Sequence, residues 1–198
     1  MNFNVLITGV GGQGTILASR ILSTAGILED IFVRTMETFG MAQRGGSVVG
    51  HIRFGEGEKS AYIPLGQADL LLGFELAETA RNLGYVKPQG RVLVNAQALR
   101  PVSVAMGQQT YQVEAIETYI KDNSASPLFV DGLALAGQAG SAKAVNVVLL
   151  GAACGAGLLP FSDAVMRQAV AHCVPEQYRD LNLAAYELGV VEAKGGAK

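Results

Sequence analysis

Short apolar runs alternate with longer amphipathic segments up to about residue 130. The apolar runs predict strands at residues 4–8, 31–35, 47–54, 68–74, 91–95, 111–113 and 128–130. The intervening segments predict helices at residues 13–25, 76–83 and 115–121, with a turn at residues 87–90. This alternation predicts an α/β fold with a Rossmann-like, mostly parallel sheet flanked by helices.

The pattern changes after Leu133, where the apolar residues follow helical spacing. Breaks occur at residues 140–141 and 157–160, Ser162 is a candidate N-cap, and Pro175 is typical of a first helical turn. We therefore predict a helical C-terminal part within a single domain of residues 1–192. The composition of residues 193–198 predicts a disordered tail.

Residues 144–161 are apolar enough to raise the question of a membrane span. Asn146, several glycines, a proline and the absence of flanking charge asymmetry favour a buried or interface helix instead. A buried Asn146 needs hydrogen-bond partners, and it is interpreted either as a structural amide or as a ligand contact.

A glycine-rich turn follows the first predicted strand directly. Gly9, Gly11 and Gly14 satisfy the pattern G-x-G-x-x-G, which allows a tight turn, close approach of backbone to a ligand, and packing of the next helix on the strand. The amides of this turn, which also contains Gly12 and Gln13, would lie at a helix N-terminus, where an anion is stabilised. The same glycines are compatible with a turn that binds nothing.

The acidic residue that a dinucleotide site requires at the end of its second strand is missing. The second predicted strand ends at Arg34 and Thr35, so a cation stands where a carboxylate would bind the ribose hydroxyl. Arg34 would either bind a phosphorylated ribose or be solvated.

Three further polar residues follow predicted strands, namely Glu75, Asn95 and Asp131. Ligands of parallel sheets bind beyond the carboxyl ends of the strands, so these residues would line one crevice with the glycine turn. Glu75 and Asp131 also precede helical segments, and we expect them to cap those helices. No Ser-His-Asp or Cys-His set can be assembled, so the sequence predicts no catalytic residue in this chain.

The segment ETFGMAQRGG, residues 37–46, predicts a long polar connection between two strands. Arg44 in this segment is followed by two glycines. A guanidinium beside exposed backbone amides suits a carboxylate or phosphate of a ligand or partner. The alternative is a solvated surface arginine.

The composition predicts one sizeable core and a permanent partner interface. The 198 residues are 49% hydrophobic and 16% charged, with a mean hydropathy of +0.29, which leaves less polar surface than a monomer usually has. A net charge of -2 without a basic cluster argues against nucleic-acid binding. The first strand has no signal-peptide-like segment before it, so we expect a cytoplasmic protein.

The cysteines and histidines predict no metal site. Cys154 and Cys173 are too few for an iron–sulfur cluster or a tetrahedral zinc site, and we expect both to be buried and free. His51 and His172 have no suitably spaced partner and are expected to be structural or solvated.

The sequence motifs, taken in order, resemble the gamma-type subunit of 2-oxoacid:ferredoxin oxidoreductases over nearly the whole chain. The resemblance is carried by GVGGQGTILASRIL, GMAQRGGSVVGHIRFG, ADLLLGFELAETARN and KAVNVVLLGAA. The AQRGG form at residues 42–46 is more similar to the small beta subunit of indolepyruvate oxidoreductase than to the pyruvate-type gamma chain.

The resemblance implies an enzyme that decarboxylates an aryl 2-oxoacid on thiamine diphosphate, passes electrons through iron–sulfur clusters to ferredoxin, and releases an acyl-CoA. In this family thiamine diphosphate and the clusters belong to the large subunit, so the implied partner is that subunit in a hetero-oligomer. By resemblance, the crevice would receive part of coenzyme A. The residues implied at its phosphate or at the subunit interface are Gly9, Gly11, Gly12, Gln13, Gly14 and Arg44.

Two other interpretations of the sequence stay open at this point. A free-standing NAD(P)-binding oxidoreductase or nucleotide-sensing domain would use the glycine pattern together with Arg34. A non-catalytic scaffold would keep the same glycine turn without any ligand.

Overall fold

The computed structural model describes residues 2–40, 45–57, 60–98 and 110–195. It contains the strands β1 (Phe3–Val10), β2 (Val33–Phe39), β3 (Ser47–Phe54), β4 (Ala68–Gly73), β5 (Val86–Asn95) and β6 (Leu128–Val130). Its α-helices are α1 (Thr15–Leu28), α2 (Leu76–Asn82), α3 (Val113–Asp122), α4 (Gly132–Gln138), α5 (Val145–Gly155), α6 (Asp163–Cys173) and α7 (Arg179–Gly195).

The six strands form one sheet in the order β2-β3-β1-β4-β5-β6. Strands β1, β4, β5 and β6 pair in parallel, whereas β3 is antiparallel to both of its neighbours. The prediction of a mostly parallel sheet is therefore confirmed. Strand β3 is the exception, because the connection after β2 turns back as a hairpin and inserts β3 between β1 and β2.

Helices cover both faces of the sheet and enclose two apolar cores. The larger core holds Ile7 together with residues of α1 and α4–α7, such as Val148. The smaller core lies on the other face and holds Leu6 together with residues of α2 and α3, such as Ile120. Neighbouring residues of β1 thus enter different cores, as expected of a central strand that is buried on both faces.

The C-terminal part is helical, as predicted. Helix α5 is buried along most of its length because it packs closely against α7. A Cβ atom at Gly151 would lie 2.0 Å from the carbonyl oxygen of Tyr186, and one at Gly189 would lie 2.1 Å from that of Val148. The apolar segment at residues 144–161 is therefore a core helix and its flanks. In the described part of the chain, no helix is both long and apolar enough to cross a membrane.

The start of α6 follows the predicted capping rule. The Ser162 hydroxyl accepts a hydrogen bond from the Val165 amide at 3.3 Å, so the predicted N-cap is confirmed. Pro175 directly precedes the short 3-10 helix Glu176–Tyr178 and accepts the Tyr178 amide through its carbonyl oxygen at 2.9 Å.

The strand expected at residues 111–113 is not formed. Val113 begins α3, and Tyr111 lies before that helix with its hydroxyl donating to a carboxylate oxygen of the buried Glu75. The prediction was wrong because this tertiary contact and the helix that follows decide the conformation of the segment, whereas the sequence suggested only a short apolar alternation.

Several predicted boundaries also differ from the structure. The second strand runs over Val33–Phe39 instead of 31–35, so Arg34 lies near its start, and residues 37–39 of the connection predicted at 37–46 belong to this strand. The turn expected at residues 87–90 is an irregularity within β5, because both Val86 and Arg91 pair with β4 and the register shifts between them. Residues 193–195, expected in the tail, continue α7 because Ala193 is buried in the larger core. Residues 196–198 lie outside the described ranges.

Candidate functional site

The glycine loop, residues 9–14, connects the carboxyl end of β1 to α1. Gly12 and Gly14 have φ angles of +104° and +79°, which residues with a side chain rarely adopt. A Cβ atom at Gly9 would lie 3.0 Å from the Cβ atom of Phe74, and one at Gly14 would lie 2.6 Å from Nδ2 of Asn146. The glycines are therefore required by the turn and its close packing, whether or not a ligand binds.

The amides of Val10, Gly11 and Gln13 are used within the described part of the chain, whereas those of Gly12 and Gly14 are not. Gly11 donates its N–H to the carbonyl oxygen of Gly46 at 2.9 Å, and Gln13 donates its N–H to that of Val10 at 3.2 Å. The amides of Gly12 and Gly14 have no acceptor among the described residues. Because the N-cap residue of α1 is a glycine, it offers no side chain to satisfy the first-turn amides. These donors, at the positive end of a helix, suit an anion.

The side chain of Gln13 is turned into the protein. Its Oε1 accepts the Val10 amide at 2.8 Å, and its Nε2 donates to the carbonyl oxygen of Phe74 at 2.9 Å. Phe74 directly follows β4, so the Gln13 side chain ties the glycine loop to the end of the neighbouring strand. The structure gives this side chain a contact within the chain instead of an open position in the crevice.

Gly45 and Gly46, which directly precede β3, lie against the glycine loop. Gly45 donates its N–H to the carbonyl oxygen of Gly11 at 3.4 Å, which adds to the bond from Gly11 to Gly46. The last two glycines of the AQRGG motif, Gly45 and Gly46, thus contact the G-x-G-x-x-G turn directly. Arg44, which directly precedes Gly45, lies outside the described residues.

The polar residues that follow the other strands have structural partners. Asn95 donates through Nδ2 to the carbonyl oxygen of Phe74 at 3.3 Å and accepts the Gly132 amide through Oδ1 at 3.1 Å. Asp131 accepts the Ala134 amide at 3.0 Å, which confirms its predicted role as the cap of α4.

Glu75 caps α2 by accepting the Glu78 amide at 3.0 Å, as predicted. The residues Glu75 and Glu78 are both buried, with 2% and 3% of their surface exposed. The Ser47 hydroxyl donates to Glu78 at 2.6 Å, and Arg81 forms an ion pair with the same carboxylate. Burial and the neighbouring Glu75 raise the pKa of Tyr111 above its ordinary value, so its hydroxyl stays protonated and donates. The crevice therefore has a negatively charged side along α2.

Arg34 lies far from the glycine loop. The strand register places Arg34 beside Arg53 and Arg53 beside Asn4, at the start of β1, whereas the loop follows Val10. The separation along β1 is about 20 Å at ~3.3 Å per residue. The guanidinium of Arg34 lies 4.2 Å from the centre of the Phe32 ring. Because β3 separates β2 from β1, Arg34 does not occupy the position of a ribose contact.

Asn146 reaches the glycine loop from α5. Its Nδ2 donates to the carbonyl oxygen of Gly14 at 3.2 Å, and the residue is only 2% exposed. Its Oδ1 is buried without a hydrogen-bond partner among the described residues. The prediction of a structural amide is confirmed for one end of the side chain and not for the other.

The histidines and cysteines lie away from this site. His51 is 2% exposed and accepts the Ile63 amide through Nδ1 at 3.2 Å, and His172 is exposed near the end of α6, as expected of structural and solvated histidines. Cys173 is buried and Cys154 is partly buried, and both are free. Across the described ranges, no group of three or more His, Cys, Asp and Glu side chains could hold a metal ion.

Two features of the site had no signal in the sequence. The carbonyl oxygen of Phe74 accepts hydrogen bonds from two side chains that are far apart in the chain, Gln13 and Asn95. Tyr111 approaches Glu75 from a segment that was predicted to be a strand. By contrast, Asn146 was recognisable as a polar residue in an apolar helix.

Comparison with known proteins places the whole chain in one family. The family model for pyruvate ferredoxin/flavodoxin oxidoreductase matches residues 4–192. The indolepyruvate oxidoreductase subunit IorB of Thermococcus kodakarensis is 39% identical over 194 residues, which cover 97% of this chain and 96% of that protein. The subunit IorB of Archaeoglobus fulgidus is 34% identical over 197 residues, covering 99% of this chain and 98% of that protein.

Solved structures share the fold. The gamma subunit of a keto/oxoacid ferredoxin oxidoreductase from Geobacter sulfurreducens has a TM-score of 0.70 at 23% identity, covering 98% of this chain and 99% of that chain. A 2-oxoglutarate:ferredoxin oxidoreductase from Magnetococcus marinus has a TM-score of 0.72 at 18% identity, covering 98% of this chain and 31% of that chain. With the end-to-end match of sequence and family model, the chain belongs to the pyruvate ferredoxin/flavodoxin oxidoreductase family.

Proposed function

We propose that this chain is the small subunit of an indolepyruvate oxidoreductase, which converts an aryl 2-oxoacid to an acyl-CoA and carbon dioxide with ferredoxin as the electron acceptor. The observation that carries this proposal is the 39% identity to an archaeal subunit IorB over 97% of this chain. Because 96% of that relative is covered, the relation includes both the glycine loop and the helical part.

We assign thiamine diphosphate and the iron–sulfur clusters to a larger partner subunit. The two cysteines of this chain, Cys154 in α5 and Cys173 in α6, do not fit a cluster, which normally takes four thiolates. Bound to the partner, thiamine diphosphate supplies the carbanion stabilisation that decarboxylation requires. This chain then contributes assembly of the complex and part of the coenzyme A site.

We assign the phosphate of coenzyme A to the glycine loop. The amides of Gly12 and Gly14 supply donors without internal acceptors, and Gly9, Gly11 and Gln13 shape the loop around them. Arg44 adds a cation in this proposal because it directly precedes Gly45, which bonds to Gly11. The Magnetococcus marinus enzyme, which shares this fold, contains bound coenzyme A.

The buried carboxylates limit where the anion can lie. Glu78 accepts from Ser47, and Ser47 pairs with Val10 in the sheet register, so its charge lies beside the end of β1. With Glu75, two carboxylates face the single guanidinium of Arg81, so a phosphate on that side would be repelled. The proposed position is therefore on the α1 side of the loop, at the amides of Gly12 and Gly14.

The first test is affinity isolation of the full chain from its native cells. We expect a larger co-eluting protein that contains iron and thiamine diphosphate, and indolepyruvate-dependent, coenzyme A-dependent reduction of ferredoxin by the eluate. A chain that elutes alone with a bound nicotinamide nucleotide would contradict the proposal.

The coenzyme A assignment is tested by Gly12→Ala in the assembled complex. A Cβ atom at Gly12 meets nothing within 4 Å in the described structure, so the methyl group points into open space beside the amide that the proposal assigns to the phosphate. The variant keeps the N–H, but the methyl group and the strain at a φ of +104° keep the phosphate from this amide. Loss of one hydrogen bond to a charged group corresponds to an increase in the KM for coenzyme A of about 10- to 100-fold.

The matched control is Gly66→Ala. Gly66 also has a positive φ, +70°, and open space around the position of a Cβ atom, but it lies outside the glycine loop. It therefore reproduces the backbone strain without the loss of ligand space. Equal values of KM for coenzyme A in the two variants would refute the assignment.

The nicotinamide-nucleotide alternative has little support. This alternative requires Arg34 at the carboxyl end of a strand next to β1. In the structure Arg34 is level with Asn4, at the start of β1. Titration of the purified chain with NADP distinguishes the alternatives, since binding at one nucleotide per chain would favour the oxidoreductase or sensing domain.

A further inference from the structure

The carbonyl oxygen of Phe74 joins three loops at the carboxyl edge of the sheet. Gln13 donates to it from the glycine loop at 2.9 Å, and Asn95 donates to it from the end of β5 at 3.3 Å. Asn95 in turn accepts the Gly132 amide at the start of α4. One chain of hydrogen bonds thus runs from β1 across β4 and β5 to the helix that follows β6.

This chain of hydrogen bonds is buried at Asn95 and half-buried at Gln13, and each side chain is held at both ends. Asn95 is 1% exposed, and its Nδ2 and Oδ1 are both bonded. The Oε1 of Gln13 accepts the Val10 amide, so both ends of that side chain are also engaged. Amide side chains that are hydrogen-bonded at both ends hold the groups that they connect in one arrangement.

The Gln13 side chain of this network also lies between the carboxyl ends of β1 and β4. The Gln13 side chain spans from the loop after β1 to the residue after β4, where a ligand of a parallel sheet would otherwise enter. Among the described residues, the amides of Gly12 and Gly14, on either side of Gln13, stay without an acceptor and open to an anion. The bonds of Gln13 to Val10 and Phe74 tie the loop that carries those amides to the sheet.

We propose that Gln13 and Asn95 are paired positioning residues, which act through the carbonyl oxygen of Phe74 to hold the glycine loop in the conformation that binds its anion. This inference rests on the proposed function for the identity of the anion, the phosphate of coenzyme A. It assigns no ligand contact to either side chain.

Asn95→Leu tests the indirect effect on the glycine loop, because Asn95 bonds to no residue of that loop. The substitution is neutral and close to isosteric. In the full-length chain we expect the amides of Val10, Gly11 and Gln13 to exchange their hydrogens about tenfold faster, since each of them depends on the loop conformation. Unchanged exchange at these amides would overturn the proposal.

The second readout is steady-state kinetics of the co-purified complex. For Asn95→Leu and Gln13→Met we expect the KM for coenzyme A to rise about tenfold, with kcat within about twofold of the unaltered complex. Because both side chains act on one carbonyl, the double variant should raise the KM by less than the product of the two single effects. Independent, multiplicative effects would overturn the pairing.

The two readouts also separate this inference from the proposed function. Faster exchange in the loop with an unchanged KM for coenzyme A would leave the positioning role standing and overturn the coenzyme A assignment. A raised KM with unchanged loop exchange would overturn the positioning role. The matched control is Asn123→Leu, the same change at an exposed asparagine whose Nδ2 donates to Tyr119 in α3, and it should alter neither readout.

Discussion

Substitution of Gly14 by alanine is the most direct test of how the glycine loop packs. The φ angle of Gly14 is +79°, and left-handed backbone costs a residue with a Cβ atom about 1–2 kcal/mol. The new Cβ atom would also lie 2.6 Å from Nδ2 of Asn146, so the amide has to move. That movement breaks the 3.2 Å bond from Nδ2 to the Gly14 carbonyl oxygen and leaves a buried amide unpaired.

The expected loss of stability follows from these two costs. A buried polar group that loses its partner costs about 1–3 kcal/mol. Together with the strain, the free energy of unfolding of Gly14→Ala should fall by about 2–5 kcal/mol, which is a large part of the usual total. For a domain of this size that corresponds to a decrease in Tm of about 5–15 °C.

The measurement is thermal and denaturant unfolding of the purified chain, followed by circular dichroism. The control is Gly137→Ala, since Gly137 lies in α4 with an ordinary φ and no atom within 4 Å of the position of a Cβ atom. That variant should be unchanged or slightly more stable. A second variant, Gly14→Ala with Asn146→Ala, should lose less stability than the sum of the single changes, because the clash is gone. Equal stability of Gly14→Ala and Gly137→Ala would refute the reasoning.

Two further predictions concern stability. Burial, and secondarily the charge of Arg53, lower the pKa of His51 below its ordinary value of 6.5. As the pH falls, His51 of the unfolded chain is therefore protonated at a higher pH than His51 of the folded chain. The stability that neutral His51 contributes is present above pH 6.5 and is lost as the pH falls through the lowered pKa. The free energy of unfolding, measured across pH, should show this loss. His51→Gln should lack it, because glutamine has no imidazole to protonate. Gly189→Ala places a Cβ atom 2.1 Å from the carbonyl oxygen of Val148. It should lower the free energy of unfolding by about 2 kcal/mol or more. A Tm equal to that of the unaltered chain would contradict the close packing of α5 and α7.

The local elements were predictable from residues that are near each other in the chain. The alternation of apolar residues located β3 and β6, and Ser162, Glu75 and Asp131 were recognised as residues that cap helices. These features depend on interactions within a few residues, such as a side-chain oxygen accepting an amide of the next helical turn.

The glycine loop was also predictable, because G-x-G-x-x-G between a strand and a helix requires a tight turn whatever it binds. The resemblance in the motifs, in their order along the chain, was sufficient to indicate the family. Both the glycine loop and the family could be predicted without the order of the strands in the sheet.

Only the tertiary structure decided the strand order and therefore the surroundings of the loop. Arg34 lies outside the site because β2 begins at Val33, which places Arg34 level with Asn4, and because β3 lies between β1 and β2. The pairing of β3 with β1, which is distant in sequence, leaves no local pattern. The same is true of Gln13 and Asn95, which meet at Phe74 although 61 and 21 residues separate them from it. The sequence by itself determined the elements and the loop, while the folded chain decided which side chains face the crevice and which ones hold it together, because those contacts depend on long-range packing.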